Sequence, residues 1–91
     1  METNSIAPLV AEFRAENNIA TSIPDSVLIQ YLKEGEAMLN GLVENLEIDF
    51  SVDLTSRALL KDYMRYAHFG ARAEFKSVYA GEIYATQIKY L

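Results

Sequence analysis

Three acidic residues, Glu47, Asp49 and Asp53, alternate with apolar residues in the middle of the chain. If this segment is extended, the three carboxylates share one face and could hold a hard cation. The segment lacks the glycine turn and terminal glutamate of a calcium loop, so we assign it no metal. The chain has no cysteine and one histidine, which excludes a thiolate zinc site, a thiol nucleophile and a histidine-based triad. We therefore predict a protein that is not an enzyme and needs no cofactor.

A row of side chains that can carry positive charge is the second candidate. Its members recur every three or four residues: Arg57, Lys61, Arg65, His68, Arg72 and Lys76. On one helix the row spans about 28 Å and could meet phosphates, carboxylates of a partner, or only water. Phe69 and Phe75 lie beside or within it, and aromatic rings among bases are more typical of an interface than of open solvent. We expect His68 to be solvated in this row, and Glu74, although on the apolar arc, to be exposed.

Charge is divided unevenly along the 91 residues, whose net charge is −5. Residues 1–53 carry ten acids and two bases, whereas residues 54–91 carry six bases and three acids. An acidic chain is poorly suited to tight nonspecific binding of nucleic acid. The two halves either neutralise each other within one folded chain or attract successive copies head to tail.

Hydrophobic periodicity predicts an all-α single domain over residues 1–91. We predict a short helix at 7–16, ended by Asn17 and Asn18, and a long helix at 26–44 with Asp25 as its N-cap. A second long helix at 55–78, capped by Asp53 or Thr55, packs antiparallel to the first. A final short helix places Tyr84, Ile88 and Leu91 on one face. Gly35 projects to the apolar face of its helix, where it allows close packing, and no run of about 18 apolar residues could span a membrane.

The link at 45–53 departs from helical periodicity. Leu46, Ile48, Phe50 and Val52 alternate with polar residues, the pattern of a half-buried strand. Two interpretations remain open: an extended loop that buries alternate apolar side chains, or a strand that pairs with another chain.

The stretch LTSRALLKDYMRYAHFGARAEF, residues 54–75, resembles the small head–tail connector proteins of tailed bacteriophages. The layout around it is similar as well: an acidic first half, a helix opening PDSVLIQYLKEGEAML, an acidic link, and a short closing helix ending in QIKYL. The resemblance covers most of the chain from about Asp25 onward.

The resemblance implies a structural virion protein, made in the host cytoplasm and placed at the head–tail junction. Such subunits form a ring, commonly twelve-fold, beneath the portal protein; the ring extends the DNA channel and docks the tail or other head-completion proteins. DNA would pass without specific binding, and no membrane is involved. Whether the isolated chain is a monomer stays open. The predicted subunit or portal interface is Arg57, Lys61, Arg65, Phe69, Arg72 and Lys76, and Leu46, Ile48, Phe50 and Val52 form a segment predicted to become ordered on assembly.

A second interpretation comes from another class of protein. A small, acidic, helical chain could be a regulator that binds a host protein as a monomer or dimer. Salt-sensitive assembly of many copies favours the connector, whereas affinity for nucleic acid that falls steeply with salt would favour a nucleic-acid-binding protein.

Overall fold

The computed structural model describes residues 1–43 and 47–91, which form five helices and no strand. The helices are α1 (Thr3–Asn17), α2 (Asp25–Asn40), α3 (Leu54–His68), α4 (Arg72–Val78) and α5 (Ala80–Lys89). The prediction of an all-α chain is confirmed, and the prediction of four helices is wrong. Helix α2 ends at Asn40, so the prediction that it extends to 44 is wrong. Leu46 lies outside the described residues.

Helix α1 begins four residues earlier than predicted. Proline suits the first turn of a helix, and the prediction placed Pro8 there, whereas α1 begins at Thr3 and Pro8 lies one turn further in. Leu9, Val10 and Phe13 are buried on one side of α1. The predicted end is confirmed: Asn18 has a φ of 51°, and asparagine tolerates this left-handed conformation.

Helices α2 and α3 contribute the centre of the core. Leu28, Leu32, Gly35 and Leu39 are buried on α2, and Leu59, Leu60, Met64 and Ala67 are buried on α3. Gly35 faces the side chains of Leu60 and Tyr63, while Tyr31 packs edge-on against His68. The residue numbers of the contacting positions decrease along α2 as they increase along α3, which is the order expected of an antiparallel pair. Asp25 lies in the first turn of α2, and Pro24 occupies the N-cap position in place of the predicted Asp25.

The predicted continuous helix at 55–78 is interrupted at Gly70. Gly70 has a φ of +74°, its N–H donates to the Ala67 carbonyl, and the Ala71 N–H donates to the Tyr66 carbonyl. These two bonds form a Schellman motif, in which glycine takes the left-handed conformation that ends the helix. The chain therefore turns after α3, and α4 begins at Arg72.

Helix α4 adds one large side chain to the core. Phe75 is 1% exposed and packs against the rings of Tyr63, Tyr66 and Tyr79. Only Tyr79 separates α4 from α5, and Thr86 is the buried residue of α5. None of the helices in the described part of the chain is long and apolar enough to cross a membrane.

Candidate assembly surface

The first two bases of the predicted row lie against α1. Arg57 forms an ion pair with Glu12, and its Nη1 donates to the Phe50 carbonyl at 3.3 Å. Lys61 Nζ lies 3.2 Å from Glu12 and 2.9 Å from Glu16. The hydrogen bond from Arg57 is the main cause that lowers the pKa of Glu12 below its usual value. These bases of the second half of the chain therefore neutralise acids of the first half within one molecule.

Arg72 lies beyond the Gly70 turn and pairs with α2. Its Nε and Nη2 donate to the two carboxylate oxygens of Glu34 at 2.8 and 3.1 Å, and its guanidinium lies 5.3 Å from the centre of the Tyr31 ring. The hydrogen bond from Arg72 lowers the pKa of Glu34. Such a bidentate pair fixes orientation as well as charge, so Arg72 holds the α3–α4 corner against α2.

Arg65 and Lys76 have fewer charged contacts. Arg65 donates to the phenol oxygen of Tyr79 at 3.1 Å and lies 3.7 Å from the Asp62 carboxylate. Lys76 is exposed and forms no ion pair with any residue in 1–43 or 47–91. The six members of the row thus do not form one continuous face, because the turn at Gly70 separates Arg72 and Lys76 from the rest.

The aromatic residues near the row have different environments. Phe69 is 67% exposed at the C-terminal end of α3, whereas Phe75 is a core residue, so the prediction that both lie at the basic face is wrong for Phe75. His68 is half-buried between the rings of Phe13 and Tyr31, so its predicted solvation is also wrong. Helix α1 covers this side of α3, which periodicity within one helix does not reveal. Glu74 is exposed, as predicted.

The link follows the loop interpretation over the residues that are described. Ile48 and Phe50 are each 3% exposed, and the Ile48 N–H donates to the Asn40 side chain at 2.9 Å. Val52 departs from the alternation at 75% exposed, because Asp49 accepts hydrogen bonds from Ser51 in a turn that redirects the chain before α3. No strand pairing occurs among residues 47–53.

Asp53 connects the start of α3 to the end of α5. Its Oδ1 accepts the backbone N–H of Ser56 at 3.1 Å, which confirms the predicted cap, and lies 2.8 Å from Lys89 Nζ. Its Oδ2 accepts the Tyr90 hydroxyl at 2.5 Å. The sequence indicated the cap but not the two partners, which are more than thirty residues away.

Helix α5 leaves a groove and a row of apolar side chains exposed. The α3–α5 groove has a volume of about 440 Å³; Ala58, Leu59, Ala85 and Thr86 line it, together with the acids Asp62 and Glu82. Away from this groove, Tyr84 is 64% exposed and Ile88 49% on α5, and Leu91, just beyond the end of the helix, is 101% exposed. We call these three residues the outer row. Periodicity predicted that they share a face, but it did not show that the face is open to solvent.

Neither metal-binding geometry nor a known relative indicates a function for the chain. No group of three or more His, Cys, Asp or Glu side chains among the described residues is placed to hold a metal ion. Comparison of the chain with protein-family models, with curated proteins and with solved structures gave no match. The resemblance of residues 54–75 to head–tail connectors therefore stays a prediction.

Proposed function

We propose that this chain is a structural subunit of a tailed-bacteriophage virion, which assembles into a ring between the portal protein and the tail. The observation that carries the proposal is the distribution of exposed apolar side chains. Among the described residues, the large hydrophobic side chains that are exposed all lie in 52–91: Val52, Leu54, Phe69, Val78, Tyr84, Ile88 and Leu91. This part of the chain includes residues 54–75, the stretch on which the connector resemblance centres. Clusters of such side chains are typical of protein interfaces.

The charge distribution supports a role in which DNA passes the protein without being held. The net charge is −5, and most bases of the second half already contact carboxylates of the same chain. Few cations are left to neutralise phosphates, which is what nonspecific DNA binding requires. A channel wall of this composition repels DNA and lets it slide.

The predicted interface residues then divide into two roles. Arg57, Lys61 and Arg72 stabilise the folded subunit through pairs with α1 and α2. Phe69 and Lys76 are exposed and are available to a neighbouring subunit or to the portal. In the link, Ile48 and Phe50 are already buried, so Val52 is the described residue of this segment that assembly could cover.

Electron microscopy of the negatively stained chain at millimolar concentration and low salt tests this proposal. We expect closed rings with a central opening, of about twelve copies, that dissociate into subunits at high salt. A uniform population of compact dimers at all salt concentrations would contradict it and support the regulator of a host protein. Particles that form only when DNA is added would support nucleic-acid binding instead.

A further inference from the structure

Helix α5 is packed lightly against the rest of the molecule. Along Ala80–Lys89, Thr86 is buried, Ile83 is half-buried and every other residue is exposed. The Thr86 hydroxyl donates to the Glu82 carbonyl of the same helix at 2.9 Å, so this hydrogen bond does not join α5 to another element. The outer row is exposed and contributes little to holding α5 in place. So few buried contacts are typical of an element that opens before the rest of a fold.

Among the described residues, the side-chain hydrogen bonds from α5 and Tyr90 to other parts of the chain all meet at the start of α3. Lys89 Nζ lies 2.8 Å from Asp53 Oδ1 and 3.2 Å from the Thr55 hydroxyl oxygen. The Tyr90 hydroxyl, just beyond the helix, donates to Asp53 Oδ2 at 2.5 Å. We call the contacts of Lys89 and Tyr90 with Asp53 the latch. Apart from the latch, α5 is held by a few buried side chains and by its covalent joint to α4.

The joint between α4 and α5 is a break in what is otherwise one helical run. Tyr79 alone separates the two helices, and its N–H donates to the Phe75 carbonyl at 2.9 Å. No backbone hydrogen bond joins the carbonyls of residues 76–78 to the N–H groups of residues 80–82, all of which belong to the described part of the chain. Nothing lies within 4 Å of where a Cβ on Gly81 would be, so no other element obstructs a change of direction there.

We infer that α5 is a hinged arm with two positions. In the closed position, described above, the latch holds α5 against α3. In the open position the latch is released, and α5 turns about Tyr79 until it continues α4 as one helix over residues 72–89. Helix α4 stays in place during this movement, because Phe75 is buried against the rings of Tyr63 and Tyr66.

The two positions exchange one set of polar contacts for another. Closing forms the latch and covers the part of α3 around Leu59, whereas opening completes the helical hydrogen bonds that the closed joint lacks. Opening also exposes apolar surface to water, so the open position is the minor one until a partner that binds it shifts the population. This hinge belongs to the single chain and does not depend on the proposed ring.

Distances between pairs of spin labels test the inference on the dilute chain. The natural chain has no cysteine, so labels attach only to introduced ones. The arm pair is Lys33→Cys with Gln87→Cys, and the control pair, which does not span the hinge, is Lys33→Cys with Ser77→Cys; all three positions are exposed. The double variant Lys89→Met and Tyr90→Phe removes both donors of the latch and leaves the cap on α3 intact.

We expect a single distance for each label pair while the latch is present. Removing the latch should add a second distance for the arm pair, with a population about tenfold or more above that in the wild type, and should leave the control pair unchanged. Because the open helix pairs the N–H groups of residues 80–82, hydrogen exchange of these amides should slow about twofold or more in the double variant.

The hinge would be overturned by any of these results. If the arm pair keeps one distance in the double variant, the latch is not what closes α5. If the control pair changes as well, the movement is not confined to α5. If the amides of residues 80–82 exchange as fast as in the wild type or faster, α5 unravels instead of continuing α4. Tyr84→Phe, at an exposed position of α5, is the matched control for Tyr90→Phe and should give the wild-type distances.

Discussion

The hydroxyl of Tyr90 donates a 2.5 Å hydrogen bond to Oδ2 of Asp53, so the end of the α5 segment lies against the start of α3. Lys89 Nζ reaches the other oxygen of the same carboxylate at 2.8 Å, and the backbone N–H of Ser56 donates to that oxygen as well. One side chain therefore caps α3 and tethers α5. Because α5 buries so little apolar surface, the shape of the α3–α5 groove depends on this carboxylate.

Replacing Asp53 tests the two roles separately. Asp53→Asn keeps a good N-cap but loses the ion pair with Lys89, whereas Asp53→Ala loses both. We expect urea denaturation to rank the free energy of unfolding as wild type, then Asp53→Asn, then Asp53→Ala, with the cap alone contributing about 1 kcal/mol. If Asp53→Asn is as stable as the wild type, the contacts of Asp53 with α5 do not stabilise the fold.

Low pH should weaken the contacts that the Asp53 carboxylate makes with Lys89, Tyr90 and Ser56. Burial opposes ionisation of Asp53, but hydrogen bonds from Lys89, Tyr90 and Ser56 outweigh it and lower the pKa of the carboxyl well below its usual range. Such a group stabilises the fold above its unfolded pKa of about 3.9, and the contribution is lost as the pH falls toward its folded pKa. Asp53→Asn should therefore lose less stability than the wild type as the pH falls from about 5 to about 2. Equal losses measured by urea denaturation would show that the Asp53 carboxylate is not stabilised in the folded chain.

High pH should destabilise the fold by deprotonating the hydroxyl of Tyr90. The hydrogen bond to Asp53 and burial raise the pKa of Tyr90 to about 12, against about 10 for a free tyrosine. Its contribution is fully present below the unfolded pKa and is lost as the pH rises through the folded value. The free energy of unfolding of Tyr90→Phe should therefore fall less steeply with pH above about 10 than that of the wild type. Tyr84→Phe, at an exposed position of the same helix, is the control and should follow the wild type.

Gly35 is required by the packing of α2 on α3. A Cβ at this position would lie 2.6 Å from Cδ1 of Leu60 and 2.7 Å from Cδ1 of Tyr63. We expect Gly35→Ala to lower the melting temperature, since overpacking costs about 1–3 kcal/mol and exceeds the gain in helix propensity of about 1 kcal/mol. Gly81→Ala is the matched control: nothing lies within 4 Å of its Cβ, so it should raise the melting temperature. Equal shifts for the two variants would contradict the packing argument.

We expect Arg72 to stabilise the folded chain and Lys76 to stabilise the association of chains with one another. Arg72→Ala breaks the bidentate pair with Glu34 and should lower the free energy of unfolding only slightly, since water screens an exposed pair. Lys76→Ala should leave the free energy of unfolding within about 0.5 kcal/mol of the wild type but weaken association of the chain. Chemical denaturation and analytical ultracentrifugation measure the two effects. Loss of stability without loss of association in Lys76→Ala would make Lys76 a residue of the fold rather than of the interface.

The sequence predicted features that depend on neighbours along the chain. The Asp53 cap, the end of α1 at Asn18 and the apolar face of α2 with Gly35 are all local, and all three are confirmed. The turn at Gly70 escaped prediction because small residues at 67, 70 and 71 continue the helical periodicity through it. The positive φ of Gly70 and the hydrogen bonds around it show that the helix ends there.

Features that depend on packing between helices could not be predicted from periodicity. Arg57 and Glu12 are 45 residues apart, and no spacing within one helix indicates that they pair. The same holds for Asp53 and Tyr90. The predicted row of bases continues along one helix only as far as the Gly70 turn, and the partners of its members depend on where α1 and α2 lie.

The stoichiometry of the assembled chain tests the central claim most directly. Native mass spectrometry of the wild type and of Ile88→Glu, across protein and salt concentrations, counts the copies in each species. We expect a ladder that ends at a closed species of about twelve copies for the wild type at low salt, and monomers for Ile88→Glu under the same conditions. A stable dimer at every salt concentration, or identical distributions for the two proteins, would contradict assembly of a ring through the exposed apolar side chains of residues 52–91.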